Sequence, residues 1–115
     1  MAASQPASPK RAAQAGEGMR EQILAAAEQE FAARGFAPAR LEDIAERIGI
    51  TRAAVIYHFS DKQTLYEAVL ESAFTPLLQR IRHALESDDS HAARIEAMVD
   101  AWIRYAGERP TLARL

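Results

Sequence analysis

Residues 41 to 60, LEDIAERIGITRAAVIYHFS (Leu41 to Ser60), decide how this chain folds. Leu41, Ile44, Ala45 and Ile48 recur at three- and four-residue steps, which predicts a short helix ending at Gly49. Glu42 and Asp43 fall in its first turn, where the helix dipole favours acids. Thr51 has the chemistry to cap a second short helix, Arg52 to about His58, with Val55 and, just beyond it, Phe59 turned inward. A close crossing of two such helices needs a small side chain at the contact, a glycine where the chain reverses, and apolar residues to fix the angle. Ala45, Gly49 and the set Ile44, Ile48, Ile50 and Val55 meet those needs. The stretch reads as a helix-turn-helix. That motif stands its second helix proud of the domain so that about two turns can enter a DNA major groove, although helical proteins that never meet DNA also contain it.

Working outward, Ile23, Leu24, Ala27, Phe31 and Ala32 draw the apolar side of a preceding helix from Arg20 to Arg34. Glu21, Glu28, Glu30 and Arg34 lie elsewhere on that helix, and Gly35 closes it. Residues 1 to 18, rich in Ala, Ser, Pro, Gln and Gly without periodicity, read as a disordered arm, because ordering them would bury little apolar surface. After the motif, Ser60 and Gln63 have capping-box spacing, and Leu65, Tyr66, Val69, Leu70, Ala73, Phe74, Leu77, Leu78, Ile81 and Leu85 draw one long stripe from there. The stripe stays in phase across Pro76, so the proline kinks this fourth helix without ending it. Glu86 to Ser90 is a polar loop. Ile95, Met98, Val99, Trp102, Ile103 and Ala106 then mark a fifth helix closing at Gly107, and Pro110, Leu112 and Leu115 open a sixth. A stripe as wide as that of the fifth helix calls for a cover, either a partner chain or further sequence.

Composition sets the bounds on these readings. At 115 residues, 49% hydrophobic and 26% charged, the chain is the size of one ordinary domain. Without cysteine it has no disulfide framework and no thiolate metal site, and His58, His83 and His91 share no metal-ligand spacing. No apolar run approaches a bilayer span, and the opening residues lack the apolar stretch of a signal peptide. A soluble cytoplasmic protein is expected, with neither cofactor nor membrane among its partners. The net charge of −2 announces no nucleic-acid partner, but from Arg47 to Lys62 three cations (Arg47, Arg52 and Lys62) stand against Asp61 alone.

Three blocks of the sequence, ILAAAEQEFAARGF (Ile23 to Phe36), DIAERIGITRAAVIYHF (Asp43 to Phe59) and DKQTLYEAVL (Asp61 to Leu70), together resemble the TetR-type transcriptional repressors. Phe31, Gly35, Phe36, Gly49, His58, Phe59, Lys62 and Leu65 fall in the order and spacing of that family. The resemblance implies an all-α protein: a three-helix, homeodomain-like helix-turn-helix head, then the start of a helical regulatory domain that dimerises and binds a small-molecule inducer. On that basis residues 17–77 form the DNA-binding head and 78–115 a truncated beginning of the regulatory domain. It further implies double-stranded DNA with a palindromic operator as the partner, and homodimerisation of a full-length protein. Three positions depart from the family. Ala39-Arg40 replaces the usual Thr-Ser or Thr-Thr before the second helix, which forfeits a cap worth ~1 kcal/mol but adds a charge that can reach phosphate. Ala53 stands for the usual glycine, and Ile56 for a common tyrosine.

The expected DNA-facing residues are Arg40, Thr51, Arg52, Ala53, Ala54, Ile56, Tyr57, His58 and Lys62. Arg52, first on the recognition helix, can fork onto a guanine, and Ile56 offers apolar surface to a thymine methyl. Tyr57 and His58 match the family's aromatic pair at the groove edge, though either can instead pack on the first helix. Lys62 opposes the dipole of its helix unless an anion sits there, which points to a phosphate. Arg47 reads as a surface charge. Two other functions fit parts of the pattern: a protein-binding helical module, or a small-molecule-binding bundle that uses Phe74, Met98 and Trp102. No nucleophile accompanies Asp61 and His58, and no catalytic set is found.

Overall fold

The computed structural model describes the backbone of residues 9–87 and 89–115 and the side chains from residue 18 onward. Within those residues the chain is all-α and contains no strand: α1 (Pro9–Arg34), α2 (Leu41–Arg47), α3 (Arg52–His58), α4 (Lys62–Leu85), α5 (His91–Glu108) and a closing 3₁₀ turn (Pro110–Arg114). Residues 1–8 of the expected arm lie outside the described residues. Residues 9–18 are a correction, since they extend the first helix backward. The alanines, Gln14, Lys10 and Arg11 are strong helix formers even without an apolar stripe, and Pro9 suits the first helical position, where no donor is needed.

Two apolar clusters share α4. In the first, Ile23, Ala27 and Phe31 of α1 meet Ile44 and Ala45 of α2, Val55 of α3, Phe59, and Leu65 and Val69 of α4, all buried. In the second, Ala73 and Leu77 of α4 meet Tyr105 of α5 and Leu112 of the closing turn. Val69 and Ala73 are one helical turn apart on the same face, so one continuous helix is anchored in both cores. α4 runs unbroken through Pro76, as its stripe predicts.

Two turns that set the head's geometry rest on left-handed glycines, Gly35 at φ 83° and Gly49 at φ 70°. Thr51 caps α3 as expected, its hydroxyl accepting from the Ala54 N–H at 3.1 Å. The cap of α4 differs from the sequence reading: Asp61, not Ser60, is the N-cap residue and accepts from the Thr64 N–H at 2.7 Å. A carboxylate makes the stronger, charge-assisted bond at a helix N-terminus, so the chain starts the helix one residue later.

Of the three acids of α1 read as outward-facing, Glu21 is exposed but Glu28 and Glu30 are buried. Glu30, 1% exposed, accepts from Arg47 of α2 at 2.7 Å and pairs with Arg34 at 2.8 Å. Arg47 is therefore a strut between α1 and α2 and not a free surface charge. Glu28 accepts from Arg109 and from Thr111, and Arg109 also reaches the Tyr105 hydroxyl at 3.2 Å. That hydroxyl donates to the carbonyl of Ala73. This carbonyl is next to that of Ser72, whose ladder donor Pro76 lacks, so the tyrosine supports α4 where the proline weakens it. The chain of contacts also ties α1 to α5. The wide stripe of α5 is left uncovered, in keeping with its need for a cover: Ile95, Val99, Trp102 and Ile103 lie exposed, and the buried residue is Tyr105. The face turned to α4 carries Arg94, Met98, Ala101 and Tyr105, at three- and four-residue steps.

Candidate nucleic-acid interface

Val55, fully buried, pins α3 to the head by one side. Helical spacing turns Ala53 and Tyr57 away from it, and both are exposed; Arg52, three residues before Val55, is exposed because it stands in the open first turn with its side chain drawn out to Glu42. Tyr57 is 85% exposed, an unusual position for a large aromatic side chain, and among the described residues its ring meets only that of His58. Arg40 and Thr51 are exposed beside this face, Arg40 on extended backbone before α2 with no side-chain cap, as its identity predicts.

Other expected contacts fall differently. Ile56 is half-buried and packs against the first core, so it lies at the edge of the outward face and not on it. One turn of a short helix cannot present both position 56 and its neighbour 57 equally when position 55 is central to the core. Ala54 is also half-buried and spends its N–H on the Thr51 cap. His58 is half-buried, its ring standing edge-on to Tyr57 with centroids 5.1 Å apart. Arg20 of α1, which the sequence reading did not single out, covers the Phe59 ring with its guanidinium at 5.0 Å.

Lys62 needs a negative partner, and it finds one inside the protein. Its ammonium donates to the carbonyls of Phe36 at 2.8 Å and Ala37 at 3.0 Å, and lies over the Phe36 ring at 4.4 Å. Lys62 thereby holds the turn after α1 against the start of α4. Phe36 in turn packs beside Phe31 and Tyr66.

The local excess of positive charge is therefore largely committed. Arg47 goes to Glu30 and Lys62 to two carbonyls, while Arg52 Nε lies 3.0 Å from Glu42 Oε1. Glu42 also approaches Arg40, with Nε 3.9 Å from Oε2. Among the described residues, Arg40, Glu42 and Arg52 form the charged group on the outward face around the start of α3. The sequence reading gave Glu42 to the helix dipole alone. Ten positions separate it from Arg52, and no periodicity links residues across a turn.

The alternative apolar trio is only partly assembled. Phe74 and Trp102 line a cleft with Leu77, Ala106 and Leu112, but Met98 is not part of its lining. Its volume of about 120 Å³ is well below the roughly 300 Å³ at which small-molecule pockets begin. No helix among the described residues is long and apolar enough to cross a membrane.

Comparison with known proteins bears on the same region. Residues 23–69 match the family described as bacterial regulatory proteins, tetR family. Those limits coincide with Ile23 and Val69, the first and last buried residues of the first core. The chain is 40% identical over 92 residues to the uncharacterized HTH-type transcriptional regulator TtgW of Pseudomonas putida, covering 80% of this chain and 68% of that protein. Over 92 residues it is also 40% identical to the HTH-type transcriptional regulator SrpR of Pseudomonas putida, with 80% of this chain and 43% of SrpR covered. With the HTH-type transcriptional activator FasR of Mycolicibacterium smegmatis it shares 35% identity over 86 residues, 75% of this chain and 39% of FasR. The matched part is thus about two fifths of FasR and SrpR.

Proposed function

Because this chain belongs to the tetR family of bacterial regulatory proteins, we propose that it is a sequence-specific DNA-binding transcriptional regulator of the ligand-responsive repressor type, acting in the cytoplasm. The observation that carries this reading is the outward face of α3, where Arg52, Ala53 and a fully presented Tyr57 stand clear of a head in which Phe31, Phe36 and Tyr66 pack together. Two turns of helix fit the major groove. There the terminal nitrogens of Arg52 can take a guanine edge and the Ala53 methyl can meet a thymine methyl. Arg40, Thr51 and the Tyr57 hydroxyl border that edge and suit phosphate oxygens, which position the head without reading sequence. Lys62 contributes by fixing the turn between α1 and α2. Full-length relatives of this chain would pair as homodimers on palindromic operators and release them on binding a small molecule, and the helices after the head begin that regulatory part. No step of this function calls for catalysis.

Selection of bound duplexes from a random pool at low salt tests the reading. Enrichment of a motif, lost when Arg52→Ala or Tyr57→Ala replaces the parent chain, is the expected outcome. A parent chain that enriches nothing, and binds no duplex even at low salt, overturns it.

A further inference from the structure

We infer that Glu42 sets how selectively this chain reads DNA, by orienting Arg52 and restraining Arg40; the inference rests on the DNA-binding reading above. Its carboxylate, 53% exposed, lies on the surface that would face a polyanion, where an acid repels every phosphate it meets. Yet it is the acid that both outward arginines share, with Arg52 Nε at 3.0 Å and Arg40 Nε at 3.9 Å. Asp43, its neighbour in the same helical turn, points instead to Arg34 at 3.7 Å and supplies the ordinary service of an acid at a helix start.

The geometry at Arg52 gives the acid a purpose. A guanidinium is planar and carries five donors on a rigid fork. Glu42 occupies the Nε side, which leaves the terminal pair of nitrogens as the free edge, and that edge matches the paired O6 and N7 acceptors of guanine. Without the carboxylate, the long Arg52 side chain is free to swing to a phosphate, which supplies affinity but no sequence information. Arg40, released from Glu42, would do the same. Glu42 therefore lowers the affinity for any DNA while sparing the affinity for the right DNA, and the ratio between them rises.

The test compares the full chain with its Glu42→Ala and Asp43→Ala variants on two duplexes, the sequence enriched by the parent chain and a scrambled version of it, across a series of salt concentrations. In Glu42→Ala the enriched-to-scrambled ratio should fall by about fivefold or more, the lower bound of what one bidentate base contact supplies. Its binding to the scrambled duplex should rise, and log affinity against log salt should steepen by about one unit as a released arginine takes a phosphate. Asp43→Ala should leave the ratio unchanged. Should Glu42→Ala melt early, Glu42→Gln, which keeps the shape without the charge, is expected to move the ratio in the same direction. An unchanged ratio in the Glu42 variants, with affinity lost equally for both duplexes, overturns the inference and leaves Glu42 as a helix-stabilising acid. If the parent chain enriches no sequence, the DNA-binding reading itself falls and this inference goes with it.

Discussion

Gly49→Ala isolates the energetic cost of the turn between α2 and α3. Gly49 has φ 70°, and a Cβ built on it meets nothing within 4 Å, so steric crowding contributes nothing and the penalty is that of the backbone alone. A left-handed conformation costs an L-residue about 1–2 kcal/mol. Replacing glycine also removes freedom from the unfolded chain, which returns roughly 0.4–1 kcal/mol. The net expectation is a loss of about 1 kcal/mol, or a melting temperature lower by about 5 °C for a domain of this size. Gly107→Ala is the internal control. It lies within α5, also has open space at its Cβ, and carries no left-handed φ, so the same substitution should stabilise by about 0.5–1 kcal/mol. Thermal and urea melts followed by far-ultraviolet circular dichroism read both, and Gly49→Asn, which tolerates the left-handed region, should fall between the alanine variant and the parent. A Gly49→Ala variant as stable as the parent would mean that the turn relaxes to negative φ, and a loss above about 3 kcal/mol would mean a clash or a cooperative role beyond backbone strain. Either result would refute the argument.

Three further outcomes follow from contacts described above. Tyr105→Phe removes the hydroxyl that serves both Ala73 and Arg109 and should cost about 1–2 kcal/mol in urea unfolding; an unchanged midpoint would show that the hydroxyl is idle. Lys62→Ala should lower stability by about 1 kcal/mol through the freed turn carbonyls, whereas unchanged stability with weakened DNA binding would restore the phosphate role. The Asp61 carboxyl is held below its ordinary 3.8 by the backbone N–H of Thr64. Its stabilising contribution is therefore complete above that pH and is lost as pH falls through the lower folded value. Asp61→Asn should flatten stability across this acid window, and a stability gap between the two proteins that stays constant with pH would contradict the assignment.

What could be read from the sequence was local. Gly49, Thr51 and Val55 lie within seven residues of one another, and each carries a short-range signal that needs no knowledge of the rest of the chain. The α4 start was missed by one position because Ser60 and Asp61 are both good caps, and only the relative strength of their hydrogen bonds separates them. Burial of Glu28 was not legible, since its partners Arg109 and Thr111 lie more than 80 positions away. For Lys62 the dipole argument correctly required a negative partner, but it could not choose between a phosphate and carbonyls 25 and 26 positions earlier. On the outward side of α3, Ala53 and Tyr57 followed from helical spacing, while Arg52 owes its exposure to its place in the first turn and Ile56 was misplaced because its packing depends on the crossing angle of α3. On α5, periodicity found the apolar residues but not which side α4 covers: the long stripe lies outward, and small Ala101 with Tyr105 makes the contact.

That outward stripe gives the chain an optical reporter of its own. Trp102 is the single tryptophan, it is 52% exposed on α5, and it belongs to the part of the molecule built around the second core. Tyr57 is the aromatic that stands on α3, where no indole is present to respond. Anything that covers the stripe should shift the indole emission to shorter wavelength and shield it from an aqueous quencher, while an event confined to α3 leaves both readings where they were. Two kinds of encounter at opposite ends of α4 can thus be told apart in one cuvette without attaching a dye.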